Sequence, residues 1–265
     1  MCISGSVGAG GKNAQGDGVI IQVLLNLNRP APLPQIAVDG AVGAGTNEAI
    51  KEFQKRVLGM AAPDGRVDPG GGTLRALQAG LPAFDPASSA SPLVLRGIMP
   101  AAKPERVALF QPGLIAGMAH RHIDTPLRQA HFLAQLAHES GAFRYDEELA
   151  DGHLYNGRAD LGNTQPDDGP RFKGRGLIQL TGRANYTKYG QAIGRDLTSD
   201  DDKPRAVAKE PALAVDVACW FWETRNLNAL ADADDVKMIT KRINGGYNGL
   251  DDRTAYLGRA KFFLK

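Results

Sequence analysis

Cysteine is nearly absent from this chain. Cys2 and Cys219 are the two in 265 residues. No zinc-type cysteine spacing can be built from them, and a pair so far apart in a chain without an export signal reads as two free thiols. Aromatic residues are also sparse at 6%. No apolar run approaches the ~20 residues needed to span a bilayer. The opening stretch MCISGSVGAGGKNAQGDG lacks the basic start and apolar core of a signal peptide. An excess of charge is missing as well: the net charge is +2, and residues 1–92 carry seven basic and seven acidic residues. Neither half has the basic excess of a nucleic-acid-binding surface.

What is present is ordinary globular composition, 43% hydrophobic and 23% charged, in a length that suits one large or two modest domains. Residues 1–16 read as a flexible Gly/Ser/Ala tail. Gly18 to Asn28 suits a helix with Val19, Val23 and Leu27 on one face, and the apolar run Val19 to Leu27 is interrupted by Gln22 and Asn26. Pro30, Pro32 and Pro34 then enforce an extended connector. Two copies of one unit follow. Asp39-Gly40 leads to Thr46 and a helix carrying Ala49, Ile50 and Phe53 inward; Asp64-Gly65 leads to Thr73 and a helix through Leu74 and Leu77. Each threonine reads as an N-cap. Residues 81–92, rich in Pro, Ala and Ser, read as a linker and domain boundary.

The doubled unit resembles the small three-helix peptidoglycan-binding domains that accompany many cell-wall hydrolases. The residues that carry the resemblance are Val38-Asp39-Gly40 with Gly45-Thr46 and Ala49-Ile50-x-x-Phe53-Gln54, then Asp64-Gly65-x-Val67-Asp68-Pro69-Gly70 with Thr73. It implies that residues 17–80 bind wall fragments at the Asp-Gly turns, with Gln54, Asp39 and Asp64 as candidate contacts.

From Leu93 onward the chain reads as almost wholly helical. Ile98–Leu109 and Gln111–Arg121 are expected as two short helices. The stretch that matters most opens with Thr125 as N-cap and Pro126 at the first helical position. Phe132, Leu133, Leu136 and Ala137 form a buried stripe, and Gly141 breaks the helix just after His138-Glu139-Ser140. A carboxylate at the end of so apolar a helix is a candidate general acid, because desolvation disfavours its charged form. Glu148 lies a short segment further on and supplies a second carboxylate, with Glu147 its neighbour and competitor. One acid and one base are what glycoside hydrolysis requires. Residues 150–170 are polar and without period, a loop long enough to suggest function. Phe172–Leu180 reads as extended, with Gln179 and Thr181 projecting from one face.

The order of these features resembles glycoside hydrolase family 19, the plant-type chitinases, and especially phage endolysins of lysozyme-like fold. The match runs from about residue 125 to the end. It rests on Ala134-Gln135-x-x-His138-Glu139-Ser140, Gly174-Arg175-Gly176-x-Ile178-Gln179-Leu180-Thr181, Asn185-Tyr186, Ala192-Ile193-Gly194-x-Asp196-Leu197, Trp220-Phe221-Trp222 and Ile243-Asn244-Gly245-Gly246. The resemblance implies an inverting mechanism with Glu139 as general acid, Glu148 as general base and Thr181 holding the nucleophilic water. It implies substrate binding by Gln179, Asn185 and Asn244, and an Arg253 that pairs with the acid. An acidic residue of the plant enzymes is replaced near Asn248.

The expectation is therefore a mainly α protein: a small three-helix wall-binding domain and a lysozyme-like helical catalytic domain, residues 93–265, with a minor β element. The expected activity is cleavage of the β-1,4 bond between N-acetylmuramic acid and N-acetylglucosamine in bacterial peptidoglycan. No cofactor or metal is implied, nor a nucleic-acid partner or stable membrane insertion, and a monomer is expected. An endolysin would be made in the host cytoplasm and act on periplasmic peptidoglycan. A chitinase is the alternative. A zinc peptidase is the remote one: the H-E-x-x-H motif that His138-Glu139 invites needs histidine at 142, where Ala142 stands, and His120, His122, Asp124 and His153 lack supporting context.

Overall fold

The computed structural model describes residues 2–265. The protein is mainly helical. The N-terminal part holds a two-stranded sheet, β1 (Val7–Gly8) antiparallel to β2 (Arg66–Val67), and the helices α1 (Gln15–Leu27), α2 (Ala44–Leu58) and α3 (Gly72–Ala79). Next come α4 (Pro92–Ile98), α5 (Pro104–His120) and α6 (Pro126–Glu139), then a long loop with two 3-10 turns and the single turn α7 (Asp168–Arg171). The chain ends with α8 (Arg183–Ala192), α9 (Ala206–Lys209), α10 (Pro211–Thr224), α11 (Leu227–Asp232), α12 (Val236–Asn244) and α13 (Leu250–Phe263).

The first residues are not a loose tail. Asp17, in the first turn of α1, accepts hydrogen bonds from the backbone N–H groups of Ser4 and Gly5 and from the Ser4 hydroxyl. Carboxylates are favoured at a helix N-terminus, and this one fastens the strand that precedes it. Cys2, Ile3 and Val7 are buried as a result. Gly8 is required where β1 meets the second Asp-Gly turn: its φ is +110°, and a Cβ there would fall 2.1 Å from the Gly65 carbonyl oxygen.

The repeat is built on two buried glutamines. Gln22 Nε2 is shared among Asp39 Oδ1 (2.9 Å), the Ala41 carbonyl (3.1 Å) and Thr46 Oγ1 (3.2 Å), while its Oε1 accepts from Gly40 N–H. Gln54 does the same with Asp64 Oδ1 (2.6 Å), the Arg66 carbonyl (3.0 Å) and Thr73 Oγ1 (3.1 Å), and accepts from Gly65 N–H. Two expectations fall here. Thr46 and Thr73 lie inside their helices, behind the caps Gly43 and Gly71, with hydroxyls turned to the glutamines. Gln54 is 1% exposed and spends its amide inside the fold, so it shapes the turn rather than touching a ligand. Asp39 and Asp64 stay exposed, each with one oxygen committed.

In the larger part, α6 runs through the centre, with Gln129–Ala137 all buried, and α13 lies along it. Helix α5 is one continuous helix through Pro112, not two. Val107, Phe110, Leu114 and Met118 recur along one face and bury it, which outweighs the one backbone donor that proline lacks. Helix α4 packs against α1, and residues 81–92 run along the body: Phe84 N–H donates to the Lys265 carbonyl and Arg96 Nη1 to the Val38 carbonyl. One apolar core is continuous through both parts. No helix among the described residues is long and apolar enough to cross a membrane.

Candidate active site

Glu139 is the last residue of α6, capped as its sequence dictates, with Thr125 Oγ1 accepting from Arg128 N–H and Pro126 at the first position. Its surroundings are not apolar. Arg253 of α13, 1% exposed, donates Nη2 to Glu139 Oε1 at 2.5 Å and Nη1 to Gln135 Oε1. Gln135 and Glu139 stand one turn apart on α6, so both reach the same guanidinium. Arg253 is sealed from solvent and holds the Glu139 carboxylate, so its guanidinium is not open to a sugar. His138 bonds Asp252 (2.7 Å) and packs against Gly249, where a Cβ would be 2.1 Å from its ring.

After Ser140 the chain reverses handedness. Gly141, Ala142 and Phe143 have φ of +57°, +57° and +65°. Two of these are not glycine, and each such residue costs about 1–2 kcal/mol. The turn is held by Phe143 N–H on Ser140 Oγ (2.9 Å), Ala142 N–H on the Ala137 carbonyl (2.7 Å), and Arg106 Nε on the Phe143 carbonyl (2.8 Å). It delivers residues 146–148 alongside 174–176, with Glu147 bridged to Arg175.

The two adjacent glutamates therefore face different partners. Glu147 pairs with Arg175 Nε (2.9 Å) and Lys173 Nζ (3.5 Å), a structural ion pair. Glu148 has hydrogen bonds only: Tyr155 OH donates to Oε1 (2.9 Å) and Gly174 N–H to Oε2 (3.1 Å). Beneath them Tyr186 OH donates to the Lys173 carbonyl (2.9 Å), and burial pushes this phenol up so that it stays a donor.

Gln179 and Thr181 do not sit on a strand. Arg175 and Leu180 close a tight loop in which Gln179 adopts φ +55°. Thr181 Oγ1 donates to the Gln179 carbonyl (2.9 Å), and Asn185 Nδ2 to the Thr181 carbonyl (2.7 Å). Gln179 Oε1 would lie 2.8 Å from a Cβ at Gly174, and Glu148 Oε2 3.3 Å, so the glycine leaves room for both groups. Glu148, Gln179, Thr181 and Asn185 thus form one cluster. Glu139, Arg253 and the α12–α13 turn form the other. In that turn Asn244 accepts from Gly246 N–H and donates to the Asn248 carbonyl.

Tyr155 had no signal in the sequence beyond being an aromatic residue in a polar loop, and Gln135 was visible only as part of a motif. Among the described residues no group of three His, Cys, Asp or Glu converges as metal ligands.

The family model described as class I chitinase matches residues 123–246, which include both carboxylates, Thr181, Asn185 and Asn244. A Haemophilus influenzae protein described as containing a glycosyl hydrolase family 19 domain is 34% identical over 158 residues, 48% of this chain and 75% of that one. The chain belongs to glycoside hydrolase family 19. This family 19 protein is a chitinase-like glycosidase. An endochitinase of Arabidopsis thaliana is 39% identical over 117 residues, and the chain spans 39% of its length. Chitinase C from Streptomyces griseus matches in fold, with a TM-score of 0.54 at 23% identity over 69% of this chain and 93% of that one. The family 19 match begins at residue 123, so the doubled Gln–Asp-Gly–Thr unit lies outside it.

Proposed function

We propose that this family 19 glycosidase is a two-part peptidoglycan hydrolase of endolysin type, with residues 2–80 as the wall-binding part and 93–265 as the catalytic part. It cuts the β-1,4 bond between N-acetylmuramic acid and N-acetylglucosamine. The observation that carries the reading is the different setting of the two carboxylates. Glu139 is fixed at a helix end by a sealed arginine, while Glu148 is held by neutral donors with the Gln179 side chain across Gly174.

In this reading Glu139 protonates the leaving glycosidic oxygen and Glu148 takes a proton from the attacking water, with inversion. The Thr181 hydroxyl proton is already committed to the Gln179 carbonyl. Its oxygen is therefore left as an acceptor, able to hold one hydrogen of the water while Glu148 receives the other. Asn185 keeps its amide oxygen and one N–H for the substrate. The turn from Asn244, which meets His138 at Gly249, presents the exposed Tyr247. At the wall-binding part, a cavity of about 180 Å³ opens at the first Asp-Gly turn, lined by Gln22, Ile36, Asp39 and Thr46 among others. An endolysin of this kind works on periplasmic peptidoglycan after release from the host cytoplasm.

The second reading is a chitinase, favoured by the endochitinases among the relatives. Purified sacculi treated with wild type and with Glu139→Gln, then reduced with borohydride, separate these. Reduced muramic acid ends that the variant does not release support the muramidase. Reduced glucosamine ends keep the chemistry and move the cut to the other bond. Hydrolysis of soluble chitin oligomers with intact sacculi overturns the wall substrate. New free amines on intact glycan overturn the carboxylate mechanism.

A further inference from the structure

Resting on Glu148 as the base, we propose that Tyr155 is its positioning residue, and that the long 150–170 loop exists in part to deliver this phenol. A glutamate has three rotatable bonds, and Glu148 is half-buried on irregular backbone where packing alone does not fix it. Its main chain is pinned by its own N–H on the Gly174 carbonyl (2.9 Å) and by Lys173 Nζ on its carbonyl (2.9 Å). Its carboxylate is gripped at both ends, Tyr155 OH on Oε1 at 2.9 Å and Gly174 N–H on Oε2 at 3.1 Å. Each oxygen has two lone pairs, so one on each remains for water.

Tyr155 is itself braced. Its carbonyl accepts from Asn163 Nδ2 (2.9 Å), and Asn163, fully buried, accepts on Oδ1 from Arg183 N–H (2.8 Å) at the start of α8. The Arg183 guanidinium grips the buried Asp168. Burial raises the Asp168 carboxyl, but Arg183 and the Gln165 N–H outweigh it and hold the group below its ordinary value, so the pair stays charged. A chain of bonds thus runs from α8 through the loop to the base. Burial, and next the neighbouring Glu148, raise the Tyr155 phenol, which keeps it a donor.

The test is Tyr155→Phe in the full chain on solubilised peptidoglycan strands, with Glu148→Gln and the double variant alongside. The expected result is a kcat about 10-fold lower, KM within about twofold and an unchanged melting temperature. In the Glu148→Gln background the tyrosine change should then do nothing more. A wild-type kcat overturns the proposal while leaving Glu148 as base if Glu148→Gln is inactive. A lowered melting temperature with KM raised as much as kcat falls assigns Tyr155 a merely structural role and also overturns it. Full activity in Glu148→Gln removes the base, and with it both readings.

Discussion

Truncating the acid and merely neutralising it should have very different effects on stability. Glu139 is the only anion hydrogen-bonded to Arg253 among the described residues, and the arginine is 1% exposed while the glutamate side chain is 18% exposed. In Glu139→Ala the guanidinium keeps Gln135 but loses its counter-charge. Breaking a buried pair by removing one partner costs about 3–5 kcal/mol. Water can reach the gap through the partly open carboxylate position, which favours the lower end, about 3 kcal/mol. Glu139→Gln leaves an amide oxygen where Oε1 was, so Arg253 keeps an acceptor and the loss is that of charge assistance, about 1 kcal/mol. At about 2–4 °C per kcal/mol for a chain of this size, alanine should lower the melting temperature by about 6–12 °C and glutamine by about 2–4 °C. Both should abolish glycosidic cleavage. Differential scanning calorimetry of the three proteins at pH 7 reads this directly. Equal melting temperatures for wild type and Glu139→Ala would refute the assignment of Arg253 as a sealed partner of the acid.

Three further outcomes are expected. Burial pushes the Cys2 thiol up to about 12 and Cys219 higher, so neither should react with a thiol reagent at pH 8 until the protein is unfolded; rapid labelling of Cys2 in the native state would restore the loose tail. Burial holds the His131 imidazole below its ordinary 6.5 despite the opposing Asp234, so the folded state resists a proton the unfolded chain accepts. That contribution is complete above about 6.5 and is lost as pH falls through the lower folded value. Denaturant midpoints between pH 7.5 and 5 should fall in wild type, less so in His131→Gln, and parallel curves would refute the assignment. Gln54→Leu strands Asp64, Gly65 N–H and Thr73 at once and should cost about 2–3 kcal/mol. Wall binding should be lost while cleavage of soluble strands remains; retained stability with weaker wall binding would return Gln54 to the ligand surface.

The parts of the fold that were legible in the sequence are those specified locally. Helix α6 runs from its Thr125 cap and Pro126 to Glu139 because every signal for that helix lies within it or beside it. Glu139 and Glu148 were legible as members of a family 19 pattern. What was not legible depends on partners distant in sequence. Residues 2–14 look like a tail until Asp17 and the second Asp-Gly turn are placed against them. Pro112 reads as a break until α10 packs against its helix. Thr46, Thr73 and Gln54 carry the chemistry of caps and ligand contacts, and only the fold shows Thr46 bonded to Gln22 and Thr73 to Gln54. Tyr155 reaches Glu148 through a loop with no periodicity to read.

The left-handed turn at Gly141–Phe143 makes the spacing between Glu139 and Glu148 a matter of register. Residues 147 and 148 occupy opposite sides of a bridged segment, so each residue gained or lost after Glu139 exchanges their sides. A single insertion carried into this segment would bring Glu147 into the seat beside Tyr155 and leave Asp146 opposite Arg175; a single deletion would set Glu148 opposite Arg175 and Leu149 beside Tyr155. The deletion strips the carboxylate from the Tyr155 seat, while the insertion keeps one there and changes only which glutamate provides it. A gained residue is therefore better tolerated than a lost one, because three acidic residues in a row, Asp146, Glu147 and Glu148, precede Leu149.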